Sequence, residues 1–136
     1  MVELIKQNRP KSRKGGLNYG SLDVGHVIYA VGPAYGETYS SDNDVSINDG
    51  LLRDAYRKSL QCAKDKGLEV VAFSLLSAGK RSSRWDPHRA LRIAIRTVSG
   101  YEDFGSLKEV HMCAFTAAEV AALQNIAQEF GLTPST

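Results

Sequence analysis

The chain has 136 residues, 43% apolar and 24% charged, with a formal net charge of +2, the proportions of one globular domain with a modest core. No apolar run approaches the roughly 20 residues that span a bilayer, and the basic N-terminus is followed by no apolar stretch of the signal-peptide kind, so an intracellular protein, cytoplasmic or in an organellar matrix, is expected. Cys62 and Cys113 belong to no CxxC-like motif and read as two buried, reduced thiols.

Val2-Glu3-Leu4-Ile5 opens the chain as a candidate strand within a basic segment, residues 1–15. The next strand is His26-Val27-Ile28-Tyr29-Ala30-Val31, closed by Gly32-Pro33. A polar, glycine-containing loop then leads to a helix with Asn48 or Asp49 as N-cap. Its apolar face is Leu51, Leu52, Ala55, Tyr56, Leu60 and Ala63, and Gly67 stands at its C′ position.

Residues 68–76 form a nearly continuous apolar run, read as a buried strand, that stops at Ser77-Ala78-Gly79. Asp86 and Pro87 then cap and open a second helix with the apolar stripe Ala90, Leu91, Ala94, Ile95 and Val98, ended by Gly100. A strand that delivers small residues, and then a helix N-terminus, to one sheet edge is a common phosphate cradle. The last unit is the strand Val110-His111-Met112-Cys113-Ala114-Phe115 and a helix opened by a capping box, Thr116 to Glu119. Val120, Leu123, Ala127 and Phe130 are its expected inner face, with Gly131 and Pro134 ending it. Alternating strands and helices imply a largely parallel, helix-covered sheet.

Charge is unevenly placed. Lys6, Arg9, Lys11, Arg13 and Lys14 crowd the N-terminus, and Lys80, Arg81, Arg84, Arg89, Arg92 and Arg96 crowd residues 80–96. The segment 37–54 is acidic through Glu37, Asp42, Asp44, Asp49 and Asp54. Basic clusters suit an anionic partner, so Lys11, Arg13, Lys14, Arg84, Arg89, Arg92 and Arg96 are candidates for a nucleic-acid or protein-partner surface.

Three motifs carry a family resemblance. Residues 26–33 resemble a "V-I-H-x-V-G-P" strand, residues 51–60 an "L-L-x-x-A-Y-R-x-S-L" helix, and residues 71–79 an "I-A-F-P-x-I-S-T/A-G" strand and loop, all of the macro domain. The resemblance spans roughly residues 16–130 and implies a three-layer α/β/α fold with a mostly parallel sheet that binds ADP-ribose and related nucleotides. The implied division is residues 1–15 as a possible replacement strand, 16–131 as the macro-like domain and 132–136 as a tail.

The departures concern the family's first half. Its usual N-terminal strand and first helix, with an adenine-binding Asp, an "N-A-A-N" strand end and a glycine-rich loop, have no clear equivalent. Asn8 falls near the position of the last Asn, and Lys14-Gly15-Gly16 faintly resembles the glycine loop, but no catalytic role is carried onto Asn8 or Gly15. The "N-A-A-N" strand is central in the family sheet, so Val2-Glu3-Leu4-Ile5-Lys6 or a partner chain is expected to fill its place. Lys80-Arg81-Ser82 stand where the family has an aliphatic residue, an aromatic one and Gly.

The implied ligand-binding set is Gly32, Pro33, Ser77, Ala78, Gly79, Lys80, Arg81 and Ser82, with Phe115 and Thr116 flanking the adenine. No Ser-His-Asp set, no metal-spaced His/Cys cluster and no paired carboxylates stand out in the sequence. His26, His88 and His111 read as isolated structural or surface residues, and Tyr29 occupies the family's His position. The expectation is a module that binds ADP-ribose-type nucleotides weakly or without catalysis, with no cofactor and no metal. The alternatives are an assembly component of a larger complex, RNA-containing or not, and an ADP-ribosyl hydrolase.

Overall fold

The computed structural model describes residues 2–6, 24–33, 42–77 and 87–132. In chain order these form β1 (Val2–Lys6), β2 (His26–Ala30), α1 (Asp42–Asp65), β3 (Val70–Ser74), α2 (Pro87–Ser99), β4 (Glu109–Cys113) and α3 (Ala117–Glu129). This is the expected α/β alternation. β3 and β4 pair in parallel, Val70 opposite Glu109 through Ser74 opposite Cys113, joined by the crossover through α2 that a parallel pair requires. β1 runs antiparallel to β2, Val2 opposite Ala30.

β1 pairs with β2 and with no other described strand, so the described strands form two separate ribbons. Both rest on α1. β1 and β2 contact the helix, and Val71 and Phe73 of β3 share a buried cluster with Leu52, Tyr56, Leu60 and Ala63. The β3 face bearing Val71 and Phe73 is buried, whereas Val70, Ala72 and Ser74 on the other face are exposed. The strand expected to be buried throughout is therefore half-buried among the described residues, with the period of two that one covered face produces.

α2 is the hinge of the core. Ala90 and Ala94 face the α1 cluster, and Leu91 and Ile95 pack with Leu123 and Ile126 of α3 in a second one. Small residues toward α1 let the two helices approach closely, and the larger ones fill the wider space toward α3.

Helix boundaries and faces differ from expectation in three places. α1 starts at Asp42, not at Asn48 or Asp49, and those two are buried inside the helix. Asp49 is held there by a cross-helix bond to Arg89, which replaces the capping role. Leu51 is 52% exposed, because one residue of phase turns a helical side chain by about 100° from Leu52. Val120 on α3 and Phe130 at its C-cap are exposed while Ile126 is buried, the stripe being centred on Leu123 and Ile126.

The caps follow the sequence. The Glu119 amide donates to the Thr116 hydroxyl at 3.2 Å. That hydroxyl donates in turn to the Glu119 carboxylate at 3.1 Å, so the box closes side chain to side chain. After α1, Gly67 sits at φ +72°. Its amide bonds the Lys64 carbonyl and the Leu68 amide bonds Ala63, at 2.9 and 3.0 Å, a Schellman ending that a left-handed glycine permits. The thiols are not buried as expected: Cys62 is half-buried and Cys113 exposed, the latter on the outward-facing side of β4.

Candidate functional site at the carboxyl ends of the strands

Three strands end at one edge. Because Ser74 and Cys113 are register partners in a parallel pair, Leu76-Ser77 and Phe115-Thr116 leave the sheet together. The end of β2 joins them, since the Ser77 hydroxyl donates to the Pro33 carbonyl at 2.6 Å. A crevice outside the carboxyl ends of strands is the usual ligand position in open α/β sheets.

The local geometry is tightly specified. Ser77 has φ 57°, the left-handed region, and is the only described non-glycine residue there. Holding such a conformation costs of order 1–3 kcal/mol and marks a segment determined by its surroundings. Two contacts supply that determination. One is the bond to Pro33. The other comes from α1, where the Leu76 amide donates to the Tyr56 hydroxyl at 2.9 Å. The Tyr56 ring lies 5.1 Å from that of Phe73, so the hydroxyl is brought to the loop by a buried aromatic pair. Burial pushes this phenol up from 10.0 to about 12, opposed by the hydrogen bond from Leu76; it is neutral at physiological pH.

Gly32 fits against this loop with no room for a side chain. A Cβ there would overlap the Ser77 Oγ and come within 3.4 Å of the Leu76 Cβ and the Ser77 amide nitrogen. The small residue is required by close approach.

Of the sequence-derived set, the structure therefore brings together Gly32, Pro33 and Ser77 by direct contact and places Phe115 and Thr116 at the same edge. Phe115 is 94% exposed, so its ring face is open, and Thr116 caps α3. Ala78, Gly79, Lys80, Arg81 and Ser82 lie outside the described residues, as do Asn8, Gly15, Lys11, Arg13, Lys14 and Arg84. Tyr56 was legible only as part of an apolar face. Its signal was the hydroxyl, since a phenol on a buried stripe requires a partner.

The histidines take surface roles. His111 is not isolated, because its Nε2 lies 3.0 Å from a Glu109 carboxylate oxygen two residues away on the same exposed strand face. His88 is exposed and His26 half-buried.

Arg89, Arg92 and Arg96 are exposed on one face of α2, as expected, but two of them are engaged across helices. The Arg89 Nε donates to Asp49 of α1 at 2.8 Å. Arg92 grips Glu129 of α3 through two bonds of 3.1 Å. The Arg92 hydrogen bond holds the Glu129 carboxyl below its ordinary 4.5. A lowered carboxyl contributes stability that is present above its unfolded value and is lost as pH falls through the folded one. Thermal melts of the parent and a Glu129→Gln variant are therefore expected to differ above about pH 4.5 and to converge on further acidification. A constant difference across that range would dissociate the stabilisation from the carboxylate.

The macro domain family model matches residues 16–94, more than half of the chain. A macro domain-containing protein of Caldanaerobacter subterraneus subsp. tengcongensis is 37% identical over 98 residues, covering 71% of this chain and 51% of its own length. One from Streptomyces coelicolor is 36% identical over 108 residues, covering 79% and 57%. The chain thus spans about half the length of the curated relatives it matches. Among solved structures, the Oceanobacillus iheyensis macrodomain with ADP superposes with a TM-score of 0.60 at 25% identity, covering 77% of this chain and 51% of that one; the same macrodomain with MES bound gives the same values. The match over β2, α1, β3 and most of α2, together with the superposition, makes this chain a member of the macro domain family.

Proposed function

We propose that this chain is a binding module for ADP-ribose-type nucleotides, receiving the ligand at the edge where β2, β3 and β4 end. The observation that carries the reading is the strained Ser77, locked to Pro33 at 2.6 Å and backed by Tyr56. A strand end fixed in this way is ordered in advance of binding, which lowers the ordering cost of holding a diphosphate beside it. The exposed Phe115 ring offers a stacking face for the adenine. Lys80 and Arg81, next along the chain, add cations suited to the phosphates.

The reading is of binding without catalysis. The groups bonded around Ser77 are hydroxyls, an amide and a carbonyl, and the Glu119 carboxylate at this edge is engaged by the Thr116 cap of α3. Calorimetric titration with ADP-ribose is expected to give a saturable heat at micromolar to millimolar ligand. No heat at millimolar ligand would overturn the proposal and favour an assembly role. Prolonged incubation with an ADP-ribosylated protein is expected to leave the modification intact; its release would make the module a hydrolase.

A further inference from the structure

A second surface lies along the α1–α2 pair, on residues other than those of the strand-end site. Arg53 and Arg57 are one turn apart on α1, and Arg89, Arg92 and Arg96 lie along one face of α2. The two rows border a groove. One part, about 610 Å³, is lined by Arg53, Arg96 and Phe130 among others. It continues past Arg53, Arg96 and Thr97 into a part of about 510 Å³ that reaches Arg57 and Tyr101.

The cations of this groove are unequally compensated. Arg89 and Arg92 bond Asp49 and Glu129. Arg53, Arg57 and Arg96 have no salt bridge among the described residues, and all three are exposed. Two like charges at i, i+4 on one helix repel each other, and a third faces them across the groove. The core gains nothing from them, and an anionic occupant would relieve the repulsion.

We propose that this groove binds single-stranded nucleic acid. Arg53 and Arg57 are about 6 Å apart along the helix axis, a spacing that successive phosphates of an extended strand can match. Phe130 is 38% exposed at the cationic end and gives a base a stacking face beside the phosphate contacts, the pairing of aromatic and cation that single strands use. Glu102 and Asp103 line the far end and set a polarity, repelling further phosphates beyond Arg57. The open aromatic ring favours a nucleic acid over a phosphopeptide.

Fluorescence anisotropy with a labelled oligouridylate tests this. Three phosphate contacts predict a log–log salt slope of about −2 between roughly 50 and 200 mM salt. The triple variant Arg53→Gln, Arg57→Gln, Arg96→Gln is expected to weaken binding at least tenfold at the low end and to flatten the slope toward zero. Phe130→Ala is expected to weaken binding about five- to tenfold, as loss of one base stack does, with the slope kept. Melting curves establish that the variants fold. Absence of binding by the folded parent, an unchanged slope in the triple variant, or equal competition by a phosphopeptide would each overturn the proposal. Calorimetry of the triple variant with ADP-ribose separates this surface from the strand-end site, whose heat is expected to persist.

Discussion

Removing one hydroxyl, in a Tyr56→Phe variant, is expected to destabilise the protein by about 1–3 kcal/mol although the ring, its burial and its packing on Phe73 remain. The Leu76 amide, in a part-buried position, loses its acceptor, and a donor left unsatisfied away from water costs about that much. A second readout isolates the phenol. Its folded value is about 12 against an ordinary 10.0. The unfolded phenol ionises more readily than the folded one, so the contribution of the buried, neutral hydroxyl is complete below pH 10.0 and is lost as pH rises toward 12. The rise from 10.0 to about 12 corresponds to about 2–3 kcal/mol. Denaturant midpoints across the alkaline range should therefore fall more steeply for the parent than for Tyr56→Phe, and the two curves should converge. Parallel curves would mean that the hydroxyl is not buried on this amide. Tyr56→Ala goes further, with an expected loss of about 3–5 kcal/mol, enough to unfold a marginal domain.

The same residue shows what sequence can and cannot supply. Tyr56 stands in register with Leu52, Leu60 and Ala63, so the helical period places its ring in the core, where it lies. The period says nothing about the partner of the hydroxyl, because that partner is a backbone amide 20 residues away. Local rules performed well wherever a residue acts on its own neighbours. Gly67 ended α1, Pro87 began α2 and Thr116 capped α3, as their conformational preferences require. They failed where a polar residue answers to another helix. Asp49 has the profile of an N-cap, yet its charge is used by Arg89, 40 residues on.

The basic surface carries the same lesson in reverse. Arg89, Arg92 and Arg96 were visible as a stripe on one helix. Only the packing of α1 on α2 adds Arg53 and Arg57 to it, and only the folded pairing reveals that Arg89 and Arg92 are already engaged. Phe115 was assigned to a strand end, where an aromatic is commonly core; its near-complete exposure follows from the sheet ending at Cys113. Periodicity gives the face of an element, and pairing between elements decides which residues on that face are free to act.

Gly32→Ala is the substitution with the largest expected effect on ligand binding. The added methyl would overlap the Ser77 Oγ, and the nearest relief is rotation of that hydroxyl away from the Pro33 carbonyl. The bond at 2.6 Å is then lost, and Ser77 keeps its left-handed backbone with one support fewer. The stability cost is expected to be about 1–3 kcal/mol, so the variant should fold at reduced temperature. Its affinity for ADP-ribose, measured by calorimetry under those conditions, should fall at least tenfold, because the loop would no longer be ordered before the ligand arrives. Ser77→Gly provides the control. It removes the same hydroxyl but relieves the strain of φ 57° and leaves space beside Gly32, so its stability should lie closer to the parent's than that of Gly32→Ala. If both variants lose binding equally while Ser77→Gly stays stable, the Ser77–Pro33 bond is what holds the loop for the ligand. If Gly32→Ala binds like the parent, the junction of β2 and β3 is structural and the nucleotide site lies elsewhere.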